Sequence, residues 1–239
     1  YNWALARWKE LYESGEKPNE AALRKELNSL KKEHFPWMLE VGKCGPQQSI
    51  KNLGTAYQRF FKGIGGYPKF KKKGVHDSFR ADNGPITKGA NALNISGNSI
   101  QIPRLGWVRM REKLRFIGQI KSGTVSLKAG RWSISLLVET SESGSEKPQN
   151  HGTTGIDLGI HHLATLANGY KVESPRPYKR YLQKLKRTQR SFSRKKKGST
   201  NRKKQQLVLQ KLHARISNIR NECLHQLTDM VTKTWRVIG

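Results

Sequence analysis

Acidic residues are scarce. Seventeen Asp plus Glu stand against 46 Lys plus Arg in 239 residues, a formal net charge of +29. With a pI near 10.4 that excess persists at any physiological pH, which makes a cationic partner untenable and a polyanion the first expectation. Cysteine is nearly absent as well. Cys44 and Cys223 lie far apart and belong to no CxxC pair, so neither a disulfide framework nor a zinc site is legible, and a reducing cytoplasm or nucleoid fits. No run of about 18 apolar residues occurs, so no membrane span is expected. A signal peptide and an initiator Met are missing too. Tyr1-Asn2-Trp3-Ala4 already reads as the middle of an amphipathic helix, and the chain reads as a fragment of a longer one. What is present is apolar enough to fold: 35% hydrophobic residues with six Trp, seven Tyr and seven Phe are too many for a disordered basic tail. The length suits one large domain or two small ones.

Periodicity divides the chain into three. Residues 1–62 show helical spacing in Trp3, Leu5, Trp8 and Leu11, in Leu23, Leu27 and Leu30, and in Ile50, Leu53, Tyr57 and Phe60, which predicts three helices, with Asn19 as an N-cap. Residues 63–147 switch to alternation, predicting strands at 99–102, 107–110, 123–127 and 132–138 and a small barrel or curled sheet. A Ser-, Gly-, Glu- and Pro-rich linker follows at 139–151. Residues 148–239 then predict a buried strand at 154–160, a hairpin through Asn168-Gly169, two long helices near 178–192 and 203–233, and the start of another strand at 235–239.

One carboxylate in an apolar strand, Asp157 within Gly155-Ile156-Asp157-Leu158-Gly159, is expensive unless a cation or several hydrogen bonds accompany it. A divalent metal is one answer, and backbone amides at a strand end are the structural alternative. The same pentapeptide opens both ribonuclease H-like nucleases and actin-like ATPases. Basic density favours the nuclease. Between 174 and 221 there are seventeen Lys or Arg and no acid, among them Lys184, Arg187, Arg190, Arg194, Lys195, Lys196, Lys197, Arg202 and Lys203. Like charges so dense destabilise a helix, and phosphates would relieve them. A second basic stretch, Tyr67-Pro68-Lys69-Phe70-Lys71-Lys72-Lys73, extended by Arg80, interleaves cations with rings that could stack a base or anchor a connector. Lys43, Gln47 and Gln48 could read base edges near a helix start. His161, His162 and His213 show no metal-ligand spacing.

Taken in order, Tyr1-Asn2, the 48–53 segment Gln-Ser-Ile-Lys-Asn-Leu, Pro68-Lys69-Phe70-Lys71-Lys72, the 102–108 segment Ile-Pro-Arg-Leu-Gly-Trp-Val containing Arg104, the 155–160 segment Gly-Ile-Asp-Leu-Gly-Ile and the 191–199 segment Ser-Phe-Ser-Arg-Lys-Lys-Lys-Gly-Ser resemble the TnpB (OrfB) family of transposon-encoded nucleases. The resemblance runs through essentially the whole chain. It implies an α+β fold with a helical recognition insert, a wedge-like β-barrel and a RuvC-like domain, related to type V CRISPR effectors. It further implies cleavage of double-stranded target DNA directed by a guide RNA, with Asp157 as the first catalytic and Mg²⁺-binding carboxylate in two-metal hydrolysis. Lys43, Gln47 and Gln48 would fall in the region reading the transposon-adjacent motif. The family's second and third carboxylates and its zinc-binding CxxC pair are not in this sequence, so zinc would belong only to a missing C-terminal part. The nuclease domain is therefore expected to be partial and this fragment inactive. A nuclease-dead guided repressor and an actin-like ATPase are the competing functions.

Overall fold

The computed structural model describes residues 1–75, 77–84, 89, 92–140 and 152–239. The chain divides into two compact units, Tyr1–Ser141 and Glu142–Gly239, so the helical segment and the sheets after it share the first unit. Beyond residue 140 the expected linker lies outside the described residues.

In the first unit, α1 (Asn2–Glu13), α2 (Glu20–Leu30) and α3 (Cys44–Phe61) bring the three predicted apolar stripes together. Ala4 and Leu5, Leu23, and Ile50, Leu53 and Tyr57 form one buried cluster, flanked by Trp3, Trp8, Leu11 and Leu27. Each fully buried Leu or Ile in it contributes about 1.5–3 kcal/mol. Trp8 stacks on Tyr57 with ring centroids 4.4 Å apart. The Asn19 side chain accepts from the Ala22 amide at 2.9 Å, capping α2 as its side-chain chemistry predicts. A short 3-10 turn, Pro36–Leu39, leads into α3.

Six strands follow: β1 (Ser78–Asp82), β2 (Asn94–Ser96), β3 (Ser99–Ile102), β4 (Gly106–Arg109), β5 (Gln119–Lys128) and β6 (Arg131–Glu139). They form two antiparallel sheets, β1-β5-β6 and β2-β3-β4, around a core of Ala81, Leu93, Ile100, Ile102 and Val125. The expected small barrel or curled sheet takes the form of two small sheets, and no closed barrel forms among the described residues. All four residues of β4 are exposed, and each sheet stops at three strands among the described residues. Asn83 bridges the space instead: its amide donates to the Leu93 and Ile120 carbonyls at 2.9 and 3.0 Å and accepts from the Leu93 N–H at 2.7 Å. At the β5–β6 turn Ala129 and Gly130 both take positive φ, +51° and +73°, as a two-residue turn of the primed type requires.

The second unit contains β7 (Thr153–Thr154), β8 (Ile156–Asp157), β9 (His162–Leu166), β10 (Lys171–Glu173), α4 (Pro177–Ser193), α5 (Thr200–Thr234) and β11 (Val237–Ile238). β8, β9 and β10 run antiparallel in that order, and β11 pairs parallel with β7. The Ile156 N–H donates to the Gly239 carbonyl and the Gly239 N–H to the Thr154 carbonyl, both at 2.9 Å, which sets β7–β8 between β9 and β11. The predicted buried strand through 154–160 is corrected. It ends at Asp157, because the chain must reverse before β9 begins, and Leu158 and Ile160 are left 73% and 90% exposed. α5 starts three residues ahead of the predicted helix, since the Ser199 hydroxyl caps it by accepting from the Arg202 N–H. One half of its apolar stripe, Leu212 and Ile216, packs on Leu185 of α4. The other half, Leu227 and Val231, packs on Ala164 and Leu166 of the sheet.

Candidate nucleic-acid interface

The α4–α5 hairpin carries the densest charge. Lys184, Arg187, Arg190 and Arg194 are exposed, and an apolar seam keeps the stripe rigid because Tyr181 and Leu209 complete the Leu185–Leu212–Ile216 contact. Arg187, Arg190, Ser191, Arg194 and Lys195 line a cleft of about 490 Å³. Steps of three and four along a helix place the three arginines on one face. Lys196 and Lys197 at the turn and Lys203 on α5 stand in solvent. Arg202 differs from its neighbours. Its guanidinium lies 4.1 Å from the Phe192 ring centroid, and Nη1 donates to the Phe192 and Lys195 carbonyls at 3.0 and 2.9 Å. Arg215 likewise lies over the Tyr181 ring at 5.3 Å. Nothing in the spacing of a basic run separates such inward arginines from free ones; the ring ten residues back is the only sequence sign.

A second concave surface belongs to the first unit. Lys43, Gln47, Arg80 and Arg104 line a groove of about 970 Å³ together with Trp3, Phe35 and Trp37. Helix α3 supplies Lys43 at its N-terminus, where no side chain caps the free amides, and such an end favours anions. Arg80 comes from β1, where Asp82 at 2.6 Å and the Ser122 hydroxyl at 3.1 Å engage it. Arg104 sits at the β3–β4 turn with φ +68°, a conformation rarely held by a residue with a side chain. Gln48 turns aside to Asn52, donating at 2.9 Å. Sequence reasoning missed Trp37, 58% exposed on the groove wall; the Phe35-Pro36-Trp37 run was its one signal.

The connector before β1 splits its two rings. The Tyr67 hydroxyl lies 3.1 Å from that of Tyr57, and its ring meets Tyr57 and Phe60 edge-on, so Tyr67 anchors the chain. Burial, and next the hydrogen bond with Tyr67, push the Tyr57 hydroxyl well above the ordinary tyrosine range. Phe70 is 54% exposed with the Lys9 ammonium 5.2 Å from its centroid. Lys71 is tied down: its N–H and carbonyl both bond the Asn2 side chain at 2.8 Å, and its ammonium sits 4.2 Å over Tyr1. Lys69, Lys72 and Lys73 are exposed.

Asp157 is exposed at the end of β8, opposite Thr165 of β9. Among the described residues the other acids of its unit are occupied elsewhere: Glu173 with His162 at 3.1 Å, Glu222 with Gln226 at 3.0 Å and Asp229 with Lys233 at 2.8 Å. Among the described residues no three His, Cys, Asp or Glu side chains gather closely enough to hold a metal ion. Two-metal hydrolysis requires several carboxylates around the ions. The residues present therefore do not fit a Mg²⁺ pair, and Asp157 supplies at most one ligand of such a site. Among the described residues no helix is long and apolar enough to cross a membrane.

Comparison with known proteins gives this geometry a context. The OrfB_IS605 family model, described as "Probable transposase", matches residues 133–239. A protein of Escherichia coli (strain K12) named "Putative RNA-guided DNA endonuclease InsQ" is 35% identical over 240 residues, covering 100% of this chain and 58% of the relative. One of Streptomyces pristinaespiralis, named "Putative RNA-guided DNA endonuclease", is 31% identical over 212 residues, covering 85% of this chain and 50% of the relative. A third, of Mycobacterium tuberculosis (strain ATCC 25618 / H37Rv), named "Putative RNA-guided DNA endonuclease Rv2885c", is 27% identical over 276 residues, 98% of this chain and 58% of the relative. The chain thus spans about half the length of the curated relatives it matches.

Proposed function

The chain belongs to the TnpB (OrfB) family, and from this premise we propose that it forms the nucleic-acid-binding part of an RNA-guided DNA endonuclease encoded by an insertion sequence. Its partners are a guide RNA and double-stranded target DNA, gripped through phosphates, and its place is the cytoplasm, at the nucleoid. The observation that carries this reading is the stretch 174–221, with seventeen cations, no acid and its exposed stripe on a rigid hairpin. Phosphates would cancel the mutual repulsion of those cations. Strands β7–β8, flanked by antiparallel β9 and parallel β11, support a ribonuclease H-like sheet with Asp157 as a catalytic carboxylate. Lys43, Gln47, Arg80 and Arg104 in one groove support contact with a duplex by the first unit. Mg²⁺ would supply an activated water and a charge on the leaving oxygen once further carboxylates joined Asp157; this chain alone therefore binds without cutting.

Two variants of the longer protein test the division of labour. Asp157→Ala is expected to abolish Mg²⁺-dependent cleavage while leaving guide and target affinity within about twofold, because a metal-holding carboxylate acts in the transition state and not across the phosphate interface. Replacing Lys195, Lys196 and Lys197 together by Ala is expected to weaken binding and flatten its salt dependence, by about 0.9 in log–log slope for each duplex phosphate lost. Equal loss of binding in both, with circular dichroism unchanged, would remove Asp157 from catalysis. A parent protein that binds guide and target yet cuts no DNA would leave a nuclease-dead guided repressor as the better description, and an Asp157→Ala protein that cuts as well as its parent would remove Asp157 from catalysis.

A further inference from the structure

We propose that Arg202 is a positioning residue of the nucleic-acid interface: its Nη1 holds the 194–199 turn so that Lys195 completes the cleft formed with Arg187, Arg190 and Arg194. The proposal rests on the nucleic-acid reading above and adds a division of roles within one basic run.

Three observations separate Arg202 from the cations around it. Phe192 covers the face of its guanidinium at 4.1 Å, and Nη1 is spent on the Phe192 and Lys195 carbonyls. Those oxygens stand at the C-terminal end of α4 (Pro177–Ser193), where helix carbonyls lack intrahelical partners and a cation is favoured. Arg202 is also half-buried, whereas Lys196, Lys197, Lys203 and Lys204 are exposed. A guanidinium with one ring face covered and Nη1 turned to two backbone carbonyls serves the turn first, and only Nε and Nη2 remain for any other acceptor.

Lys195 links the two roles. It is one of the residues lining the 490 Å³ cleft, and its carbonyl is the oxygen Arg202 holds at 2.9 Å. The rest of the turn is fastened to other atoms: the Ser199 hydroxyl and N–H both donate to the Lys196 carbonyl, at 2.8 and 3.2 Å. Freeing Arg202 therefore lets residue 195 swing while α5 keeps its cap. Lysine does not replace it, because an ammonium cannot lie flat on the Phe192 ring as the planar guanidinium does.

The test uses the 239-residue chain, a fluorescently labelled RNA hairpin and anisotropy titrations between about 50 and 200 mM salt, the range over which counterion release is read. Lys195→Ala is expected to lower the slope of log affinity on log salt by about 0.7–0.9, one phosphate. Arg202→Lys conserves the charge yet is expected to lower the slope by the same amount, and to add nothing when combined with Lys195→Ala. Phe192→Leu, which strips the ring from the guanidinium and alters no charge, moves the slope the same way. An Arg202→Lys chain that binds like the parent, effects of Arg202→Lys and Lys195→Ala that simply add, or a loss of affinity with the slope unchanged would each overturn the assignment. A parent chain whose binding ignores salt would overturn the nucleic-acid reading itself, and it would do so before any variant is measured.

Discussion

Tyr57 shows how one buried hydroxyl sets a pH limit. Its ring is 3% exposed, its oxygen pairs with Tyr67 at 3.1 Å, and burial is the chief reason its proton is held beyond the ordinary value of 10. In the unfolded chain the proton leaves near that ordinary value, so above it the unfolded state binds fewer protons than the folded one. Stability is then full below about pH 10 and falls as pH rises toward the higher folded value. Denaturant midpoints measured at about pH 8 and pH 11 are expected to drop for the parent and to drop less for Tyr57→Phe. That variant should cost about 1 kcal/mol at the lower pH by leaving the Tyr67 hydroxyl without its partner. An equal drop in both proteins would place the alkaline weakness elsewhere.

At the scale of elements, the helices were legible because their stripes recur at three and four residues and because Asn19 is a good cap. The apolar stripe of α5 divides between two partners: Leu212 and Ile216 meet α4, and Leu227 meets the sheet. Leu212→Ala is expected to cost about 3 kcal/mol through the cavity it leaves between the helices; urea unfolding checks it, and a cost under about 1 kcal/mol would mean the hairpin seam is not a packed core. β1 was illegible for a physical reason. Ser78-Phe79-Arg80-Ala81-Asp82 carries a single large apolar side chain, and its strand partner among the described residues, β5, lies far along the chain. Alternation could not decide between a small barrel and a curled sheet, because it reports which face of a strand is buried and not whether its edges find neighbours. Asp157 looked interior because the letters around it are apolar; the turn after β8 brings Leu158 and Ile160 out with it. Within the basic run, composition marks the charged stretch, but the inward aim of Arg202 depends on a ring contact that only folding creates.

Charge governs the molecule as a whole. At +29 the compact chain repels itself, and that repulsion is screened over about 10 Å at 0.1 M salt. Raising ionic strength from about 20 to 200 mM is expected to lift the thermal midpoint by several degrees. A polyanion such as heparin should lift it further at constant ionic strength, since it binds the folded chain's cation stripe and not merely the scattered charges of the unfolded one. Differential scanning calorimetry reads both shifts; a midpoint indifferent to salt would mean that the stripe is already neutralised within the fold.

The pairing of β1 with β5 also has a consequence in time. During synthesis β1, ending at Asp82, leaves the ribosome well before β5 begins at Gln119, and at roughly 5–20 residues per second that interval is about two to seven seconds. For those seconds β1 has no strand to join. β5 and β6, closed by their two-residue turn, can zip within microseconds of emerging, so the wait belongs to β1 alone. A strand that must idle with its backbone bare is safest when it is short and charged, and five residues containing Arg80 and Asp82 meet that need. The same poverty of apolar side chains that hides β1 from a reader of the sequence also hides it, for a few seconds, from every other unpaired strand in the cell.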